Sequence, residues 1–177
     1  MRVVATDPVF GPVFLAGLAA ASLSDLFRRR VPNPLNFAFA GVGLLGQAAT
    51  AGMGGVGVGL LGLLVAFVCV IVPFALQIYR GGDAKLVLAL GLWLGPTLVA
   101  VAFLAGAILG GALGLFMAWR DGHLSLSLSR VRAALTTRTA PVVDSDRLPS
   151  QHVPMAPAFA AGALLALYRA ANPGFLF

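Results

Sequence analysis

Charged residues are scarce in this sequence, and long stretches of it have none. Asp, Glu, Lys and Arg make up 10% of the 177 residues, hydrophobic residues make up 59%, and the mean hydropathy is +0.95. A soluble domain carries about a quarter charged residues, whereas long uncharged runs are typical of integral membrane proteins. The sequence therefore predicts an all-α, polytopic membrane protein that forms a single membrane domain over residues 1–177.

Cysteine and histidine are also rare. The single cysteine, Cys69, lies in an apolar run, which excludes an internal disulfide, and both histidines, His123 and His152, lie in one polar segment. The sequence has no Cys/His cluster with the spacing of a zinc site, and we expect no metal.

The net charge of +6 would suit nucleic acid, but Lys and Arg also collect in the cytoplasmic loops of membrane proteins. We therefore expect membrane lipid, and no nucleic acid, as a partner.

The first apolar run extends from about Val9 to Phe27 and is followed by arginines at 28–30. A cleaved signal peptide, with the alanines at 19–21 as the cleavage site, is the alternative interpretation. Signal peptides carry their positive charge before the apolar core, whereas here it follows the core. We therefore predict a retained helix.

The next two apolar runs are too long for one helix each. Leu35 to Tyr79 is uncharged and would hold two spans of about 20 residues, with the glycine-dense AGMGGVGVG (51–59) as the turn. Ala84 to Trp119 would be about 54 Å long as one helix, against a bilayer core of about 30 Å. Gly95-Pro96 offers a break, and one kinked span is the alternative.

The remainder of the chain is predicted to be a cytoplasmic loop, residues 120–155, and a short last span from Ala156 to Ala170. Within the loop, HLSLSLSRVRAAL (123–135) fits either an amphipathic helix on anionic lipid or a disordered linker. The total is about six transmembrane helices. This topology puts ten of the twelve basic residues on the cytoplasmic side, in agreement with the positive-inside rule. Tyr79 and Trp119, each directly before an arginine, are predicted to be interfacial anchors.

Three glycines in the fifth predicted span, Gly106, Gly110 and Gly114, repeat every four residues. This spacing lays a flat strip along one helix face, where another helix can approach closely. We predict a packing groove.

All six acidic residues are aspartates, and only Asp25 and Asp83 adjoin predicted membrane helices, both at the cytoplasmic edge. Each could be neutralised by a basic neighbour, Asp25 by the arginines at 28–29 and Asp83 by Arg80 or Lys85. Ionisable groups in membrane helices are costly, however, and are therefore functional candidates. Two neighbouring carboxylates can share one proton. The ionised member then acts as a general base on water while the protonated member polarises a carbonyl group, as in aspartyl proteases.

Three segments carry a resemblance to a known family: DLFRRRVPN (25–33), GGDAKL (81–86) and VPMAPAFAAGALLAL (153–167). Their order and spacing resemble the type IV prepilin peptidases, which are GxGD-type intramembrane aspartyl peptidases, and especially the short branch that serves Flp (tight-adherence) pili. The resemblance implies that Asp25 and Asp83 are catalytic. It implies a supporting role for five further residues: Gly81, Gly82, Lys85, Pro32 and Asn33. One departure is Arg80, which stands where the Gly-x-Gly-Asp motif has its first glycine and could crowd the loop before Asp83 or lower the pKa of that aspartate.

The implied function is removal of a short basic leader from a prepilin or pseudopilin substrate, at the cytoplasmic side of a bacterial inner membrane and without any cofactor. The larger members carry two Cys-x-x-Cys pairs linked to N-methylation; with one cysteine, we expect no methyltransferase activity. A small ion- or proton-coupled transporter with the aspartates as a cation site, and an inactive homologue that acts as a pilus-assembly scaffold, remain alternatives. The oligomeric state is left open.

Overall fold

Four α-helices and one short 3-10 helix make up the part of the chain that the structure, a computed structural model, describes: residues 4–76, 78–120 and 153–172. After the 3-10 helix Val4–Thr6, the helices are α1 (Phe10–Arg28), α2 (Asn33–Ala75), α3 (Gly81–Arg120) and α4 (Met155–Ala171). No strand occurs among these residues, which confirms the all-α prediction. Most of the predicted 120–155 loop, with both histidines, lies outside the described residues.

The apolar composition of these helices fits a membrane protein. Three stretches are long and apolar enough to cross a bilayer: Phe10–Arg28, Asn33–Ala75 and Gly81–Met117. The shorter α4 has 17 residues and is also apolar. Large hydrophobic side chains such as Phe27, Met53 and Ile108 are mostly exposed, and a surface of this kind is suited to lipid rather than to water.

Helix α2 reverses direction inside its glycine-dense stretch. Gly52 has φ 60° and ψ −146°, a conformation that glycine adopts without steric cost. A Cβ atom at Gly59 would lie 3.3 Å from the Gln47 side chain and 3.8 Å from Leu44, whereas residues 44 and 59 of a straight helix would be about 22 Å apart. The segments 33–51 and 53–75 therefore lie side by side, and the predicted turn is confirmed.

Helix α3 breaks at Gly95, which has φ 74° and ψ −179° and precedes Pro96. The ring of Phe103, eight residues past the break, lies 6.1 Å from the ring of Tyr79, which precedes the helix. The second segment of α3 must therefore run back along the first, and a single kinked span does not fit. The described residues thus contain six α-helical segments; the number of membrane crossings stays a prediction.

A buried glutamine compensates for the break in α3. Pro96 has no N–H, so the carbonyl oxygen of Leu92 lacks the donor that a continuous helix would supply. Nε2 of Gln47 donates to this oxygen at 3.1 Å and to the carbonyl of Trp93 at 3.5 Å. The segment before the break, residues 81–94, is about 21 Å long, shorter than a bilayer core. In an apolar bilayer, backbone groups freed by a helix break must find partners within the protein, and Gln47 provides one here.

Close helix contacts depend on small residues. Gly62 of α2 faces Gly91 of α3, and a Cβ atom on either glycine would overlap the backbone of the other. Such backbone contact is typical of helix packing in membranes.

The glycine strip on α3 packs against α4 and the residues just before it. Cβ atoms added to Gly106, Gly110 and Gly114 would meet, in that order, Phe159, Met155 and Val153. The predicted packing groove is therefore confirmed, and α4 and its N-terminal approach are the elements that occupy it.

Two aromatic clusters fill the core. Phe14, Phe39 and Trp93 join α1, α2 and α3, with ring centroids 5.2–5.8 Å apart, and Nε1 of Trp93 donates to the carbonyl of Phe39 at 2.8 Å. The second cluster joins the Tyr79 ring to Phe159 of α4 at 5.3 Å, as well as to Phe103. The second cluster adjoins the start of α3, because Tyr79 lies two residues before that helix.

Candidate functional site

Asp25 is fully buried in the last turn of α1. Its Oδ2 atom accepts a hydrogen bond of 3.0 Å from the backbone N–H of Ala156, in the first turn of α4. The first N–H groups of a helix have no partner inside the helix and carry the positive end of its dipole. The residue before α4, Pro154, makes no side-chain cap. The carboxylate of α1 therefore caps α4 from outside.

Asp83 lies in the first turn of α3 and is 3% exposed. An acidic residue at this position is stabilised by the N-terminal end of the helix dipole. Asp25 thus lies in the last turn of one helix and Asp83 in the first turn of another, and both are withdrawn from solvent. Both positions at helix ends agree with the sequence, their burial is a finding of the structure, and their catalytic role stays a prediction.

The turn between α1 and α2 packs against the start of α3. A Cβ atom at Gly82 would lie 3.1 Å from the carbonyl oxygen of Val31 and 3.4 Å from its nitrogen, which leaves little room for a side chain. By contrast, a Cβ at Gly81 would meet nothing within 4 Å. Of the two predicted supporting glycines, Gly82 has a spatial requirement in the structure and Gly81 has none.

The remaining predicted supporting residues meet at the start of α2. Nζ of Lys85 donates to Oδ1 of Asn33 at 2.8 Å and lies 5.8 Å from the centre of the Phe37 ring. Pro32 is the N-cap residue of α2, and its carbonyl accepts from the N–H of Asn36 at 3.2 Å. Lys85 and Asn33 therefore join α3 to α2 two residues after Asp83.

Arg80 makes a second connection between the same segments. Its side chain is exposed, and one guanidinium nitrogen donates to the carbonyl oxygen of Arg29 at 3.3 Å. Arg29 in turn has the left-handed conformation (φ 54°) and donates its N–H to the carbonyl of Asp25 at 2.8 Å. Arg80 thus links the residues before Asp83 to the turn that follows Asp25. The expectation that it crowds Asp83 stays a prediction.

Tyr79 is a neighbour of the site that the sequence pattern did not indicate. The prediction of an interfacial anchor is wrong here, because Tyr79 is 7% exposed and its ring packs against Phe103 and Phe159. Burial raises the pKa of the Tyr79 phenol, and the negative charge of Asp83 raises it further. Both effects favour the neutral phenol over the phenolate. Trp119 is 67% exposed, as expected of an anchor.

Asn36 was also missed. It is 2% exposed, and its Nδ2 donates to the carbonyl oxygen of Gly82 at 3.0 Å. The signal in the sequence was an amide inside an apolar run.

The contact of Asp25 with Ala156, near the N-terminus of α4, joins residues 131 positions apart in the chain, and no local pattern could have indicated it.

Comparisons with known proteins bear on this arrangement. A model of the type IV leader peptidase family matches residues 12–115, a stretch that includes Asp25, Asp83 and the polar contacts between α2 and α3. The match ends before α4. A search of the curated proteins and a search of the solved structures each gave no match. Residues 12–115 are more than half of the 177 residues, and the chain therefore belongs to the type IV leader peptidase family.

Proposed function

We propose that this protein is a membrane aspartic endopeptidase that removes the basic leader from a prepilin or pseudopilin of the Flp type. The observation that carries the proposal is that the family match spans two aspartates, and that both are buried at helix ends joined by one network of contacts. We place the reaction at the cytoplasmic face of the bacterial inner membrane, where the positive-inside rule puts the arginines at 28–30, Arg80 and Lys85.

In the proposed reaction Asp25 and Asp83 share one proton and hold a water molecule between them and the scissile peptide. The ionised carboxylate takes a proton from the water, whose oxygen attacks the peptide carbonyl carbon. The protonated carboxyl donates a hydrogen bond to the carbonyl oxygen as negative charge develops there. When the C–N bond breaks, the amine leaves with a proton from the site. The burial of both carboxyl groups favours this chemistry because electrostatic interactions are stronger where water is excluded.

The contact with α4 supports the role of Asp25. One carboxylate oxygen, Oδ2, accepts the Ala156 N–H at 3.0 Å, and this bond restrains the orientation of the carboxyl group. Groups that act on water must be held in a defined geometry, and a donor on a neighbouring rigid helix provides this.

The experiment is co-expression with candidate prepilins, followed by mass measurement of their N-termini. We expect loss of the leader with the wild-type protein and no added methyl group, since the sequence has one cysteine and therefore no Cys-x-x-Cys pair. Asp25→Asn and Asp83→Asn should each abolish cleavage at unchanged protein levels in the membrane. Cleavage that persists in both variants would reject the aspartate pair. Ion flux without cleavage would support a transporter, and pilus assembly without cleavage would support a scaffold.

A further inference from the structure

The side chain of Asn36 is buried in the first turn of α2, yet only part of it is bonded. Nδ2 donates to the Gly82 carbonyl at 3.0 Å, whereas Oδ1 is buried and has no hydrogen-bond partner among the described residues. A buried acceptor without a partner is unfavourable, and leucine, of similar size, would avoid that cost. Packing alone therefore does not explain an amide at this position, whereas a role for the hydrogen bond to Gly82 does.

The Gly82 carbonyl belongs to the peptide group that also contains the nitrogen of Asp83. A bond to this oxygen restrains the plane of that peptide group, and with it the backbone from which the Asp83 side chain extends. The start of α3 needs such a restraint, because Gly81 and Gly82 are poor helix formers and the first turn of a helix lacks intrahelical partners for its N–H groups.

The other connections nearby are weaker restraints. The Lys85–Asn33 bond and the Arg80–Arg29 bond are exposed, so water competes for the same donors and acceptors. The Asn36 side chain is withdrawn from water, and the contact of Gly82 with Val31 holds the same peptide from the side of the α1–α2 turn. Asn36 thus contributes a buried side chain to a partly buried hydrogen bond between α2 and the backbone immediately before Asp83.

We infer that Asn36 is a positioning residue for the peptidase reaction, holding the Gly82–Asp83 peptide so that the Asp83 carboxylate meets water and substrate in the reactive orientation. The inference rests on the proposed function and adds a residue to it. Asn36 does not touch the reacting atoms in this assignment; it acts through the backbone of Gly82.

The test uses purified full-length protein, a prepilin substrate and three variants. Asn36→Leu removes the donor, Asn36→Asp keeps the shape but replaces the amide N–H₂ with a carboxylate oxygen, and Asn36→Gln keeps an amide on a longer side chain. The matched control is Gln47→Leu, because Gln47 is also a buried amide of α2 that donates to an α3 carbonyl, but at Leu92 instead of Gly82. Steady-state cleavage and amide hydrogen exchange over residues 82–86 are measured for each.

For Asn36→Leu and Asn36→Asp we expect kcat to fall by about 10²-fold, the loss typical of a misplacement of about 1 Å, with KM within about twofold of wild type. Exchange over residues 82–86 should rise, and Asn36→Gln should recover part of kcat. Gln47→Leu should melt at a lower temperature yet keep kcat within about threefold and leave exchange over residues 82–86 unchanged.

Two results separate the failure of this inference from the failure of the proposed function. A wild-type kcat together with unchanged exchange in Asn36→Leu or Asn36→Asp overturns the role of Asn36 and leaves the peptidase assignment intact. A wild-type protein that cleaves no prepilin overturns the proposed function, and the positioning role with it. If Asn36→Leu does not accumulate in the membrane, Asn36→Asp, which preserves the volume of the side chain, still provides the test.

Discussion

Asp25 has two separable tasks, as a cap on α4 and as the proposed catalytic group, and substitutions can distinguish them. Asparagine at position 25 keeps an oxygen that can accept the Ala156 N–H, whereas alanine has no acceptor. Loss of a capping side chain costs about 1–2 kcal/mol, including the unsatisfied buried N–H. A chain of this size shifts its melting temperature by about 2–4 °C for each kcal/mol. Asp25→Ala should therefore melt about 2–8 °C lower than wild type.

Asp25→Asn should keep most of the melting temperature, because it loses only the charge from an otherwise intact hydrogen bond, and it should lose cleavage entirely. Both variants are compared in the same detergent by thermal unfolding and by leader removal from a prepilin. If alanine melts at the wild-type temperature, the carboxylate does not hold α4. If alanine and asparagine are destabilised equally, the hydrogen bond is not the reason. Cleavage by the asparagine variant would refute the catalytic role.

Two further predictions concern packing and the surroundings of Asp83. Gly62→Ala should destabilise the fold by about 2 kcal/mol or more because its methyl group would overlap the backbone of α3. The control is Gly54→Ala, whose added Cβ atom meets nothing within 4 Å and which should stabilise the helix by about 0.5–1 kcal/mol. Equal effects of the two substitutions on thermal unfolding would contradict the close backbone contact between Gly62 and Gly91. In a Tyr168→Phe background, ultraviolet titration of Tyr79 should show its phenolate forming above the ordinary tyrosine pKa of about 10, because burial and Asp83 both favour the neutral phenol. Adding Asp83→Asn should lower that pKa, and an unchanged midpoint would mean that Asp83 does not act on Tyr79.

Much of the helix pattern could be predicted from composition and local sequence. The breaks at Gly52 and Gly95 were predictable, because glycine density and a Gly-Pro pair interrupt apolar runs that are too long for one bilayer crossing. The four-residue repeat that begins at Gly106 also indicated a packing face, because the spacing of residues along one helix can be read from the local sequence. What the repeat could not indicate was its partner, which lies beyond a long polar segment.

The site was predictable only in part. Asp25 and Asp83 stood out because carboxylates are rare in apolar sequence, but the same reasoning passed over Asn36, whose amide carries no charge. Tyr79 was assigned to the membrane interface because an aromatic residue beside an arginine is typical of that position. Its burial depends on Phe159 of α4, a residue that no nearby sequence points to. The bond from Asn36 to Gly82 and the burial of Tyr79 both depend on contacts between distant parts of the chain.

The hydrogen bond between Asp25 and Ala156 has a consequence for biogenesis. A chain is synthesised from its N-terminus, so α1 enters the membrane with its aspartate before the ribosome has made α4. Until α4 has been made and docks on the glycine strip of α3, the Ala156 N–H is not there to bond Asp25, and Phe159 is not there to pack against Tyr79. The order of synthesis therefore makes α4 the helix that completes the surroundings of Asp25.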